Sequence, residues 1–185
     1  MRRTVNNIVS VIHSLLRMLI LKIVHFDSLK FCLIERFSPN VVFEFNRGGK
    51  ASLGKRVRVH SGSKIKVRAG GSLCIGDDVK MNYNCIVVAR DFVEIGSGTE
   101  FGPSVYVYDH DHDYKAGLKA EKYKTSPIRI GKNCWIGANT VILQGTELGD
   151  NCVVAAGSVL RGKYPANSLI YQQRQTLVKS FDIQV

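Results

Sequence analysis

A chain of 185 residues, 45% of them hydrophobic, is long enough to bury one sizeable core, and with no Gly/Ser- or Pro-rich linker and no low-complexity tract it shows no second domain. Its 26 Lys and Arg against 15 Asp and Glu leave a formal charge of +11, but no aromatic residues interleave with the basic run at positions 50, 55, 56, 58, 64, 66 and 68, which argues for a solvated outer face and against nucleic acid. The cysteines, Cys32, Cys74, Cys85, Cys134 and Cys152, are odd in number without paired spacing, so reduced, buried thiols and a cytoplasmic location are expected in place of a disulfide framework or a metal site.

Residues 1–48 form the first segment. VNNIVSVIHSLLRMLILKIVHF, residues 5–26, is apolar but broken by His13, Arg17 and Lys22, so no uncharged stretch reaches the ~18 residues that a spanning helix needs. No small-residue cleavage site of a signal peptide comes after it. A helix, or a pair of helices reaching about Phe37, is expected, either packed against the rest of the chain or lying on a membrane surface through residues 1–30, with Arg2 and Arg3 ahead of the apolar run.

From residue 49 to 163 a different beat takes over. Leu53, Val59 and Ile65 stand six apart; Ile75, Met81 and Val87 resume after a slip of four; Ala89, Ile95, Phe101 and Val107 come after a second slip. The beat is clearest in SPIRIGKNCWIGANTVILQGTELGDNCVVAAGSVLR, where Ile130, Ile136, Ile142, Leu148, Val154 and Leu160 keep the step of six, with Gly131, Gly137 and Gly149 after three of them. Neither the helical period of 3.6 nor the strand period of 2 sustains such a pattern, which reads as a parallel β-helix. Each hexad supplies one short strand and one corner, three make a coil, and a coil buries its core only against its neighbours. Two residues before each aliphatic stand Ile128, Cys134, Thr140, Thr146, Cys152 and Ser158, small or β-branched side chains suited to an inward position. The beat is interrupted over residues 108–127, YDHDHDYKAGLKAEKYKTSP, and a loop of that length inside a repeat array is a candidate functional element. Residues 164–185 form a tail.

The hexads, the histidine in an extruded loop and the segment WIGANTVI resemble the left-handed β-helix hexapeptide acyltransferases, most of all their sugar O-acetyltransferase branch, of maltose and galactoside type, over roughly residues 50–170. The resemblance implies an all-β, left-handed parallel β-helix, an exception to the right-handed crossover rule, assembled as a homotrimer with active sites between subunits. It implies transfer of acetyl from acetyl-CoA to a sugar hydroxyl by a histidine general base, without metal. His110, where the chain leaves the coil, matches the family's base, with His112 the competitor. Asp109 and Asp111, or Asp113, are the carboxylates that would orient it. Asn82 and Asn84, with Tyr108, match acceptor-holding positions; Trp135, Ala138 and Ala156 match the groove of the acyl donor's pantetheine arm; Arg161, Lys163 and Arg174 are the cations for its phosphates. The tail departs from the Gly-x-Pro turn that many relatives carry. The expected acceptor is a sugar or lipid-linked saccharide of a surface polysaccharide such as an O-antigen or capsule, handled at the inner face of the cytoplasmic membrane. N-acetylation of an amino sugar, a γ-carbonic anhydrase-type metal hydratase and a trimeric scaffold are the alternatives.

Overall fold

The computed structural model describes residues 2–31, 35–116, 122–173, 175, 178 and 179. The hexad dictates its architecture. A strand of two to four residues ends at a corner, and the third corner returns the chain on top of its start, so each strand pairs in parallel with strands of the coils before and after. Three parallel sheets result. The first face stacks Leu29–Lys30, Lys50–Leu53, Ser72–Ile75, Phe92–Ile95, Ile128–Ile130, Glu147–Leu148 and Lys163–Tyr164. The second stacks Arg36–Phe37, Arg58–Val59, Lys80–Met81, Glu100–Phe101, Trp135–Ile136, Val153–Val154 and Leu169–Ile170. The third stacks Val42–Phe45, Lys64–Val67, Ile86–Ala89, Tyr106–Tyr108, Val141–Leu143 and Val159–Leu160.

The six-residue register becomes three columns of side chains inside the prism. On the second face Phe37, Val59, Met81, Phe101, Ile136 and Val154 lie directly over one another, all buried. Ile65, Val87, Val107, Ile142 and Leu160 do the same on the third. The expected inward positions Ile128, Cys134, Thr140, Thr146, Cys152 and Ser158 are buried as well, and the hydroxyls of Thr140, Thr146 and Ser158 donate to corner carbonyls at 2.8, 2.6 and 2.7 Å. A polar group in that position costs little only because it is so paired. Cys74, Cys85, Cys134 and Cys152 are free thiols; Cys32 lies outside the described residues.

The slips in the beat have a structural cause. Ala51 pairs with Leu73, 22 residues on, whereas Ile130 pairs with Leu148, 18 on. The extra residues of the early coils sit in the corner between third and first faces, where Gly48 and Gly70 take φ of 84° and 79°, values open to glycine without a Cβ penalty. Elsewhere asparagine fills the left-handed corner: Asn133, Asn151 and Asn167 stack, the Asn151 amide donating to Asn167 at 2.9 Å.

The β-helix starts earlier and ends later than the hexads show. The N-terminal helix, α1 (Arg2–Val24), stops well short of Phe37, and strands begin at Leu29 and not near residue 49; the last strand ends at Ile170, inside the expected tail. The first coil keeps the beat, Phe37 and Phe43 standing six apart under Val59 and Ile65, but a single step before the four-residue slip at the next corner is too short a run to mark a repeat.

Truncating a column should cost far more than truncating a face. Ile136→Ala is expected to lower unfolding free energy by about 2–5 kcal/mol, whereas Trp135→Ala, one residue away and 61% exposed, should change it by about 0.5 kcal/mol or less. Urea denaturation of both variants checks this; equal losses would refute the inward register.

Candidate functional site

The 108–127 segment leaves the prism at the corner after the third face. Its neck is an antiparallel ribbon, His110–His112 against Tyr123–Thr125, pairing His110 with Thr125 and His112 with Tyr123. Beyond it Tyr114–Ala116 forms a short 3-10 turn. The ribbon is not legible in the sequence, because two three-residue strands rich in Asp, His and Lys carry no apolar alternation.

Asp109 ties the neck to the coil. It is fully buried, and its carboxylate accepts the backbone N–H of Arg90 at 2.9 Å and of Asp91 at 2.7 Å, from the corner one coil earlier. The same carboxylate lies 3.0 Å from His110 Nδ1. In the neutral ring Nδ1–H therefore donates to Asp109 and Nε2 keeps its lone pair, the tautomer that a general base needs. The His110 side chain is 15% exposed. Rings enclose it edge-on: Tyr108 at 6.1 Å and Tyr123 at 5.6 Å between centroids. Burial, then Tyr106, pushes the Tyr108 phenol up, which keeps it a neutral hydrogen-bonding group.

His112 sits differently. It is exposed, its ring tilts against Tyr123 at 4.8 Å, and no carboxylate bond to its ring is present among the described residues. Asp111 is exposed and accepts the His112 backbone N–H at 2.8 Å. Asp113 pairs with Lys124 at 3.1 Å. Of the candidate carboxylates, Asp109 is the one that meets an imidazole.

Arg90 belongs to this cluster and is absent from the residues that the sequence singles out. Its guanidinium lies 3.6 Å over the Tyr123 ring, in stacking range for a planar cation. The single available signal is its position at the end of the buried strand Ile86–Ala89, where the beat slips.

The other expected residues lie elsewhere on the prism. Asn82 follows the second-face strand; its Oδ1 accepts the Tyr83 N–H at 2.8 Å. Asn84, with φ of 60°, makes the next corner. Ala138 and Ala156 stack in that same column of corners, packed so closely that a Cβ on Gly102 would meet Ala138 N at 2.7 Å and one on Gly137 would meet Ala156 N at 2.5 Å. Trp135 stands exposed on the second face between Glu100 and Val153. Arg161 and Lys163 lie near the corner from which the loop emerges, on later coils; Lys163 pairs with Glu147 at 3.0 Å, and Arg174 lies outside the described residues. The structure thus gathers Tyr108, Asp109, His110 and His112 at one edge of the prism and Asn82, Asn84, Ala138 and Ala156 at another. Across a triangular prism the first edge is opposite the face that carries Trp135. Among the described residues no group of three His, Cys, Asp or Glu is placed to hold a metal ion.

Residues 127–161 match the family model "Hexapeptide repeat of succinyl-transferase". The chain is 26% identical over 164 residues to WbbJ of Escherichia coli K12, whose name assigns it to lipopolysaccharide biosynthesis O-acetyl transfer, covering 82% of this chain and 80% of that one. It is 35% identical over 100 residues to the galactoside O-acetyltransferase of the same organism, covering 53% and 49%. Among solved structures, a maltose O-acetyltransferase from Clostridium difficile 630 superposes with a TM-score of 0.57 at 32% identity, over 62% of this chain and 61% of that one. WbbJ apart, the chain spans about half or less of the length of the curated relatives that it matches.

The site generates two measurements. Asp109→Ala leaves two backbone N–H groups unpaired, with a cost of about 1–3 kcal/mol; thermal unfolding of the variant checks it, and an unchanged midpoint would remove Asp109 as the tie. His60, whose ring lies 4.9 Å from that of Tyr83, is held below the ordinary histidine range first by burial and then by Arg36 and Arg58. The unfolded chain then takes up this proton at higher pH than the folded one, so His60 contributes stability above the ordinary histidine pKa that is lost as pH falls below it. A titration by NMR should place the His60 ring below a free histidine, and His60→Gln should flatten the loss of stability on acidification.

Proposed function

This chain belongs to the hexapeptide-repeat acyltransferases, and from that premise we propose that it moves an acetyl group from acetyl-CoA to a hydroxyl of a sugar in a cell-surface polysaccharide precursor, with His110 as general base. The observation that carries the reading is the Asp109–His110 pair at 3.0 Å, the carboxylate fully buried and the ring at the mouth of an extruded loop.

A sugar hydroxyl is too weakly acidic to attack a thioester unaided. His110 Nε2 takes its proton as the oxygen adds to the thioester carbonyl; the tetrahedral adduct collapses with cleavage of the C–S bond, and the imidazolium returns the proton to the departing thiolate sulfur. Asp109 stabilises the imidazolium in between and holds the tautomer. Tyr108 and Tyr123 wall the base against water, which would otherwise hydrolyse the thioester.

The acceptor class rests on the relatives, whose names specify galactoside, maltose and lipopolysaccharide O-acetyl transfer. Asn82 and Asn84 are assigned to acceptor hydroxyls. Trp135, Ala138 and Ala156 are assigned to the pantetheine arm, because a column of small, tightly stacked corners follows the exposed indole in the chain. Arg161, Lys163 and Arg174 are assigned to the phosphates. Since the base edge and this column of corners lie on different edges of one prism, a closed site requires His110 of one subunit to face the corner column of the next, and a homotrimer provides three such sites. Free thiols, buried at Cys85, Cys134 and Cys152 and half-buried at Cys74, fit a cytoplasmic location.

Thiol release from acetyl-CoA, assayed over a panel of sugars, amino sugars and lipid-linked saccharides, tests the proposal. Release is expected only with a hydroxyl acceptor, and His110→Ala should lower kcat by about 10²- to 10⁴-fold in a protein of unchanged mass, while His112→Ala retains most activity. Loss confined to His112→Ala would move the base two residues along; acceptor-independent behaviour of both variants would sink the transferase reading.

A further inference from the structure

α1 presents aliphatic residues away from the protein as well as toward it. On an ordinary surface helix the apolar stripe faces the core and the polar one faces water; here Met18 is buried in the core with Leu21 against it, and Ser14, Arg17 and Lys22 turn toward the protein beside them. Ser14, 1% exposed, accepts the Phe37 N–H at 2.7 Å. The Arg17 guanidinium donates to Val41 O, and Lys22 Nζ donates to Phe26 O at 2.6 Å and Leu29 O at 2.7 Å. Phe37, Val41 and Leu29 belong to the first coil, whose outer side has no preceding coil to pair with. The polar side chains of α1 therefore cap an open sheet edge.

This capping leaves the aliphatic stripe outside. Ile8, Ile12, Leu16, Leu19, Ile20 and Ile23 occupy the outer side and are 43–79% exposed, and Phe26 beyond the helix end is 71% exposed. A contiguous apolar surface of this kind marks an interaction site. Charge identifies the occupant. Residues 1–68 hold 14 of the 26 Lys and Arg but only 3 of the 15 Asp and Glu, so the whole excess of +11 lies in α1 and the coils next to it, and the remaining residues are balanced. Lys30, Arg47, Lys50, Lys55 and Arg58 are exposed there.

We propose that α1 is an interfacial anchor that lies in the plane of an anionic bilayer, its outer stripe in the acyl boundary and the basic early coils on the headgroup phosphates. No described helix is long and apolar enough to cross a membrane, which leaves the in-plane geometry. A second copy of the chain fits less well on this stripe: the basic excess is concentrated in residues 1–68, so copies meeting through α1 would set like charge against like, and the stripe is wider than the a/d seam of a paired helix. The inference does not depend on the transferase reading.

Sedimentation of the full chain with phosphatidylcholine vesicles, with and without phosphatidylglycerol, tests it at about 0.1 M and about 1 M salt. Binding is expected to need phosphatidylglycerol and to weaken at high salt. Leu16→Glu with Ile20→Glu, both on the outer stripe, should reduce it by about tenfold or more, with the thermal midpoint and thiol release on a soluble sugar unchanged. Failure to sediment at either salt, or equal binding by the double variant, would overturn the proposal. So would a fall in solution mass on the double substitution without vesicle binding by the parent, which would assign the stripe to a second copy. Because vesicle binding is read without any acceptor, a failed anchor and a failed transferase give different results.

Discussion

Everything in this molecule hangs on coil-over-coil stacking. A six-residue unit has too few apolar atoms to bury anything by itself, so Ile136 is sheltered by Phe101 beneath it and Val154 above it, and the same holds along each column. Stacking forces the corners into narrow limits. Gly102, Gly137, Ala138 and Ala156 are small because successive backbones approach within contact distance there, and Asn133, Asn151 and Asn167 tolerate the left-handed corner while bonding one another through their amides.

A regular prism offers flat faces and no cavity, so a site has to be built where regularity stops. Here the chain leaves at Tyr108 and re-enters at Ile128. The break is made stable by Asp109, which turns inward to satisfy N–H groups of the coil before it, and that burial presents its carboxylate to His110. One side chain thus makes both contacts: the tie that seats the loop is also the group that meets His110 Nδ1. Arg90 and Tyr123 complete the seat by stacking across the neck.

The open first coil poses the opposite problem, an unpaired edge in place of an interrupted one. α1 answers it with hydroxyl, guanidinium and ammonium groups, because the exposed edge presents backbone polar atoms that an aliphatic face would bury without partners. Met18 and Leu21 still pack on the core, but the wider aliphatic stripe of the helix is directed away from the domain. That outcome reverses the usual reading of an amphipathic helix, in which the apolar residues report the contact with the core.

The parallel β-helix, its inward columns over residues 53–160 and the extruded loop are legible in the residues alone, because each depends on a local period or its interruption; the histidine at the loop's mouth is singled out by the family resemblance. The first coil is not, since Phe37 and Phe43 make only one step of six before the next slip, and neither is the ribbon at the loop neck, whose strands have no apolar alternation. Nor do the residues separate Asp109 from Asp111 and Asp113, three like side chains at alternating positions of one segment; only the fold turns the first of them inward, toward amides that lie 18 and 19 residues earlier in the chain. Arg90 over Tyr123 and the outward face of α1 are decided in the same way. Each arises from contacts between residues distant in sequence, brought together by the stacking of coils, and such contacts leave no period for a linear reading to detect.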